Sequence, residues 1–228
     1  MKIKVIPGID FMGNVDDTAL MVDQIRQKFP KNFIGLAGLS MGSAQLVTYI
    51  GKGSNRGKID VAAGLAAGLD IITWSQNLQQ QHPWVDNYIT SSVKKCYLKP
   101  YQNQQALDTM SDVVKKAWTA NSIVDWYDYA APLAGYQNFE HYCEHKNPSN
   151  FFQGIQTPCL LLSALDDFVT VKENIRYDIW DKVMNLVCLI TDYGGHVCYN
   201  EGPFAQGNFM YRVTLDFFDA VLADNMRC

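Results

Sequence analysis

Residues 38 to 42 read Gly38-Leu39-Ser40-Met41-Gly42, a G-x-S-x-G pattern set directly after the apolar run FIGLA. A serine on a sharp strand-to-helix turn has its hydroxyl lifted above the sheet, with the next helix pointing its N-terminus at developing negative charge. The flanking glycines are expected because side chains at 38 and 42 would collide with the neighbouring strand and helix. In that geometry the backbone N–H of Met41 becomes an oxyanion donor. A serine hydroxyl is a weak nucleophile and needs a base. The chain holds four histidines, His82, His141, His145 and His196. His196, in DYGGHVCY just after a strand-like run, is the natural base. A base in turn needs an acid to hold its tautomer and stabilise the imidazolium. Asp166 and Asp167 follow the run CLLLSA, at the C-terminal end of a second strand-like segment. Nucleophilic acyl transfer is the chemistry such a set would perform, and the chain order of serine, acid and histidine fits it.

Other motifs carry less. His141 and His145 stand at i and i+4, a spacing that can seat zinc on a helix, but no third ligand is evident and the H-E-x-x-H arrangement is absent. A polar helix face is the expected reading, and no metal or cofactor is implied. The loop GKGSNRG follows a helix instead of opening one, so it reads as a solvated turn and not a phosphate cradle. Trp74, Trp84, Trp118, Trp126 and Trp180, with many tyrosines, read first as packing and second as the lining of an acyl pocket.

The elements that must position these residues alternate in type. Asn14 and Asp16 offer N-caps to a helix with Val22, Ile25 and Phe29 on one face, ending at Pro30. NFIGLAG is expected as a short buried strand, and Ala44, Val47 and Ile50 mark the face of the helix after the elbow. IDVAAGLAAG is apolar throughout, as strands covered on both faces tend to be. KIKV near the N-terminus is at most one extra strand. Residues 71–157 lack a strand rhythm, and a connection of that length is normally functional or independently structured. Beyond it come strand TPCLLLSA, helix VKENIRYDIW, strand LVCLIT, loop DYGGH and a final helix with Phe209, Val213 and Phe217 on one stripe, continued by Ala220 and Val221. This alternation predicts an α/β class: one domain over 1–228 with a mostly parallel sheet and helices on both faces. Asp166, Asp167 and His196 then fall at strand C-terminal ends, where open α/β sheets place their sites.

Composition narrows the partners. The chain has 228 residues, 48% of them hydrophobic and 18% charged, with a net charge of −4. No basic block is present, so nucleic acid and anionic membrane are poor partners. The N-terminus lacks the apolar core of a signal peptide, and VAAGLAAGLDII is too short to span a bilayer. None of the six cysteines forms a C-x-x-C pair, and Cys159 and Cys188 lie inside apolar runs. A soluble, intracellular protein of a reducing compartment, most simply the cytoplasm, is expected.

The sequence resembles the YheT-like branch of α/β-hydrolase-fold esterases, which includes the eukaryotic α/β-hydrolase-domain acylglycerol and phospholipid lipases. The stretches that carry the resemblance are QKFPKNFIGLAGLSMGS, then GYQNFEHYCEHKNPSNFFQGIQTPCLLLSALDDFVTV, then LITDYGGHVCY. The family's nucleophile falls on Ser40, its paired acids on Asp166 and Asp167, and its Gly-Gly-His on Gly194, Gly195 and His196. Alignment with the general hydrolase pattern favours Asp167 as the acid, with Asp166 as the alternative. Residues 71–157 correspond to the family's helical cap, which would set substrate size. Two departures are small: Ser43-Ala44 follows the elbow where the family has Gly-Asn or Ala-Asn, and Phe168 replaces its proline. A third is large. The family has strands and a His-Gly loop well before the elbow, the loop giving a second oxyanion donor, and no His-Gly pair lies upstream here.

The resemblance implies a serine hydrolase of lipid or short acyl esters, working through Ser40, Asp167 and His196 without a cofactor. Losing one oxyanion donor costs about 100- to 1000-fold, and a sheet cut at this point leaves an apolar edge. The alternative expectation is therefore a weak or inactive hydrolase, N-terminally truncated, that serves as an interaction subunit with a protein partner covering the edge.

Overall fold

The structure is a computed structural model, described here for residues 10–53, 57–98 and 112–226. KIKV, part of the GKGSNRG loop and Cys228 lie outside the described residues. In chain order the elements are α1 (Val15–Lys28), β1 (Gly35–Leu39), α2 (Met41–Gly51), β2 (Val61–Leu65), α3 (Ile71–Gln81), α4 (Pro83–Leu98), α5 (Asp112–Trp118), α6 (Ile123–Ala130), α7 (Phe139–Lys146), β3 (Cys159–Ala164), α8 (Tyr177–Trp180), β4 (Leu186–Thr191) and α9 (Phe209–Asn225). They form two compact units, one of Met12–Asp70 with Pro148–Cys228, the other of Ile71–Asn147 with the segment ending at Phe11.

The first unit is a four-stranded parallel sheet in the order β1-β2-β3-β4, with Gly38 opposite Gly64 and Leu65 opposite Leu162. Strand side chains alternate between two layers. Ala62, Cys159 and Leu161 face a core shared with Val22 of α1 and Leu46, Val47, Tyr49 and Ile50 of α2. Ala63, Leu65, Leu160, Leu162 and Ala164 face Met210 of α9, against which Val213, Phe217 and Phe218 also pack. Each fully buried aliphatic side chain contributes about 1.5–3 kcal/mol, so β2 and β3, covered on both sides, anchor the unit. The expected parallel sheet with helices on both faces is what is seen.

Three local expectations are corrected. Strand β1 is not buried: its residues alternate exposed and half-buried, and Leu39 is 43% exposed. Apolar composition announces burial only when both neighbours are present, and among the described residues β1 pairs on one side alone. In α1, Asn14 is the cap, its side chain accepting the N–H of Asp16, and only Val22 of the predicted stripe is buried. The run VKENIRYDIW is not one helix. It holds a 3-10 turn at Lys172–Asn174, an extended Ile175 and the single turn α8, with Arg176 paired to both Asp70 and Asp178.

The second unit is helical, α3 to α7. Phe11 packs edge-on against Tyr97 and Trp126 at 5.5 and 5.7 Å between ring centres, and Trp126 is fully buried. The aromatic density of this stretch is thus largely packing. Asn147 accepts the N–H of Ile71 at 3.0 Å, joining the two ends of the insertion, and Asp10 takes Lys146 at 2.6 Å and the Tyr142 hydroxyl at 2.9 Å.

Candidate active site

Ser40 occupies the turn between β1 and α2. Its N–H continues the sheet ladder to Leu65 O at 2.8 Å, and its backbone then swings to φ 55, ψ −120 before α2 begins. A non-glycine residue there is strained by about 1–3 kcal/mol. What keeps the turn tight is Gly38. A Cβ on it would stand 2.2 Å from the carbonyl oxygen of Gly42. Gly42 itself has nothing within 4 Å of a built Cβ, so the expectation that both glycines avoid collisions holds for Gly38 and fails for Gly42. Met41 is the first residue of α2, and its N–H belongs to the first-turn donors that have no acceptor within the helix.

Three side chains from three strand ends meet at this turn. His196 Nε2 lies 2.7 Å from Ser40 Oγ, and His196 Nδ1 lies 2.9 Å from Asp167 Oδ2. The Asp167 side chain is 1% exposed and that of His196 17%. Asp167 is fixed by its own turn: Oδ1 accepts the N–H groups of Val169 and Thr170 at 2.7 and 2.9 Å, and Oδ2 also accepts the Thr170 hydroxyl. Burial pushes its carboxyl up, but the bonds from His196 and Thr170 outweigh burial and hold it below the usual carboxylate range. Asp166, the alternative acid, is exposed and turns elsewhere, accepting the N–H of Gly195 at 2.8 Å.

This arrangement can pass a proton from a serine hydroxyl to an imidazole whose far side is held by a carboxylate. Thr170 was not among the predicted residues. Its signal was the spacing: an aspartate followed three residues later by threonine forms a side-chain-capped turn. A Thr170→Val substitution is expected to destabilise the fold by about 1 kcal/mol at neutral pH. It also raises the Asp167 carboxyl. A carboxylate depressed in the folded state contributes stability above its unfolded value and loses it as pH falls through the folded value. The acid-unfolding midpoint followed by circular dichroism should therefore move to higher pH in the variant.

Comparisons with known proteins bear on the fold. No family model matches the chain. Human Phospholipase ABHD3 is 24% identical over 212 residues, covering 92% of this chain and 51% of its own. Monoacylglycerol lipase of Saccharomyces cerevisiae is 27% identical over 195 residues, covering 81% and 42%. Among solved structures, a monoacylglycerol lipase of Paleococcus ferrophilus superposes with a TM-score of 0.51 at 15% identity, over 92% of this chain and 77% of that one. A Pyrococcus furiosus esterase gives 0.53 at 14% identity, over 90% and 61%. The chain has the α/β-hydrolase fold. The family resemblance read from the sequence is matched by these relatives, and the chain spans about half the length of the curated relatives named here.

His141 and His145 lie on α7 in the helical unit, where Glu144 brings a third possible metal ligand within 4.8 Å of both. His141 Nδ1 already accepts the N–H of Gln137 at 3.1 Å, which puts that ring's proton on Nε2 and leaves no lone pair there for an ion. Among the described residues, no helix is long and apolar enough to cross a membrane.

Proposed function

We propose that this protein is a serine hydrolase of carboxylic esters, with lipid acyl esters as its substrate class. Ser40 Oγ attacks the ester carbonyl while His196 takes its proton, and Asp167 holds the imidazole and stabilises its charged form. The Met41 N–H donates to the oxyanion. His196 returns the proton to the leaving alkoxide, and water then cleaves the acyl-enzyme by the same steps in reverse order of roles. The observation that carries the reading is the unbroken chain of contacts, 2.7 Å from hydroxyl to imidazole and 2.9 Å from imidazole to a buried carboxylate. The relatives named as phospholipase and monoacylglycerol lipase support a lipid ester as substrate, and the insertion of residues 71–157, whose helical unit ends at Asn147, is the proposed cap that selects its size. A fluorophosphonate probe is expected to leave one adduct, mapped to Ser40 by peptide mass spectrometry. An adduct on another residue, or none on the folded chain, overturns the reading.

A second reading concerns the edge of β1. The side of β1 away from β2, unpaired among the described residues, is flanked on both faces by grooves, about 360 Å³ lined by Leu65, Tyr211 and Leu215 and about 200 Å³ lined by Met21, Gly42 and Gln45. Both grooves share Ala37, Gly38 and Leu39. A strand edge unpaired among the described residues, with an apolar groove on one face, is a template for pairing, and we propose that a further β-strand occupies it in the working protein, in keeping with an assembly role. The tolerance of Gly42 for a large side chain tests this.

A further inference from the structure

We infer that Asp166 is a positioning residue, whose carboxylate holds the backbone of the loop that carries His196. The inference rests on the serine-hydrolase reading above. Two adjacent acids at the end of β3 divide the work: Asp167 takes the imidazole of His196, and Asp166 takes the N–H of the residue just before it. The loop between Thr191 and Tyr199 needs such a hold. Gly195 runs through the left-handed region at φ +55. Gly194 lies so close to Tyr199 that a Cβ would meet that ring at 2.4 Å. One bond closes the turn on itself, from Cys198 N–H to Gly194 O at 3.1 Å.

Two glycines therefore set the path of the loop. Leu165 N–H ties its first residue, Thr191, to the β3 end at 2.9 Å, and the Asp166 carboxylate ties it again beside His196 itself. A carboxylate makes a stronger acceptor than a neutral oxygen. A nucleophile–base contact of 2.7 Å tolerates little displacement, since a shift of about 1 Å at a reacting group costs on the order of 100-fold. Asp166 touches none of the proposed reacting atoms, so its effect passes through the backbone of Gly195.

The test compares Asp166→Ala and Asp166→Asn on the whole chain, by the rate of fluorophosphonate labelling at Ser40 and by hydrogen exchange of the peptide spanning residues 192–199. The alanine variant is expected to label about tenfold more slowly, the order of one hydrogen bond's net contribution, and to exchange faster in that peptide. The asparagine variant keeps an oxygen acceptor without the charge and should recover most of both. A role through charge alone predicts equal losses in the two variants and overturns the inference. Unchanged exchange in Asp166→Ala, or faster exchange with unchanged labelling, overturns it too, while the serine reading stands. A native chain that does not label at Ser40 overturns the serine reading and the inference together. Asp166 is exposed, so loss of the fold is not expected, and far-UV circular dichroism of each variant checks it.

Discussion

Ser40→Ala, His196→Ala and the double variant should all lower turnover of an activated short-chain ester to the same floor. That floor is expected about 10⁶-fold below the native rate, because nucleophile and base act as one unit and removing either removes both. Asp167→Asn is expected to cost less, about 10⁴-fold. The geometry explains the difference. Oδ2 of Asp167 accepts from both His196 Nδ1 and the Thr170 hydroxyl, while Oδ1 accepts two backbone N–H groups. With Oδ1 pinned by the backbone, an asparagine must put its NH₂ where Oδ2 stands. That group donates toward Nδ1, forcing the ring proton onto Nε2, and Nε2 can no longer accept from Ser40. The expected signature is a pH–rate profile whose recovery at high pH is lost in His196→Ala. Turnover in His196→Ala within tenfold of native, measured on folded protein, would remove His196 from the mechanism.

Much of this site was legible because its parts are local. A glycine two residues before a serine, a strand pattern before it and a helix pattern after it fix the elbow within one short window. His196 was legible because it follows the strand-like run LVCLIT in the loop DYGGH; the structure adds that the two glycines before it have separate reasons, one steric and one conformational. Residue type alone does not choose between Asp166 and Asp167, since both stand in the same turn; alignment with the hydrolase pattern favoured Asp167, and in the structure the Val169 and Thr170 groups hold its carboxylate inward. The exposure of β1 was also hidden. FIGLA reads the same whether or not a neighbour lies beyond it, because an apolar run does not state how many of its sides are covered. Similarly, VKENIRYDIW has the spacing of a helix, yet the pairing of Arg176 with Asp70 of the loop after β2 holds the chain in a bend that local propensity does not show.

Gly38→Ala and Gly42→Ala should have opposite outcomes although both break the same motif. At Gly38 the new Cβ runs into the Gly42–Ser43 peptide, with Gly42 O at 2.2 Å, Gly42 C at 2.6 Å and Ser43 N at 2.9 Å. None of these is a side chain that can rotate away, so the turn itself must open, and a destabilisation of about 3 kcal/mol is expected. Labelling of Ser40 should fall with it, because the φ of 55 that aims the hydroxyl exists only while the turn is tight. At Gly42 a Cβ meets nothing within 4 Å, and replacing a helical glycine with alanine ordinarily gains about 1 kcal/mol. Gly42→Ala should therefore leave the melting temperature unchanged or raised. Extending the side chain to Gly42→Phe turns this tolerance into a probe of the sheet edge. Gly42 borders the groove beside β1 that Met21 and Gln45 also line. A phenyl ring fits there if the edge stays bare, and obstructs any strand laid against Ala37 and Leu39. Unaltered stability of Gly42→Phe in the chain alone, with loss of association or activity once further polypeptide is present, is the result expected of an occupied edge. Full function of Gly42→Phe under both conditions would show that nothing approaches β1 from that side.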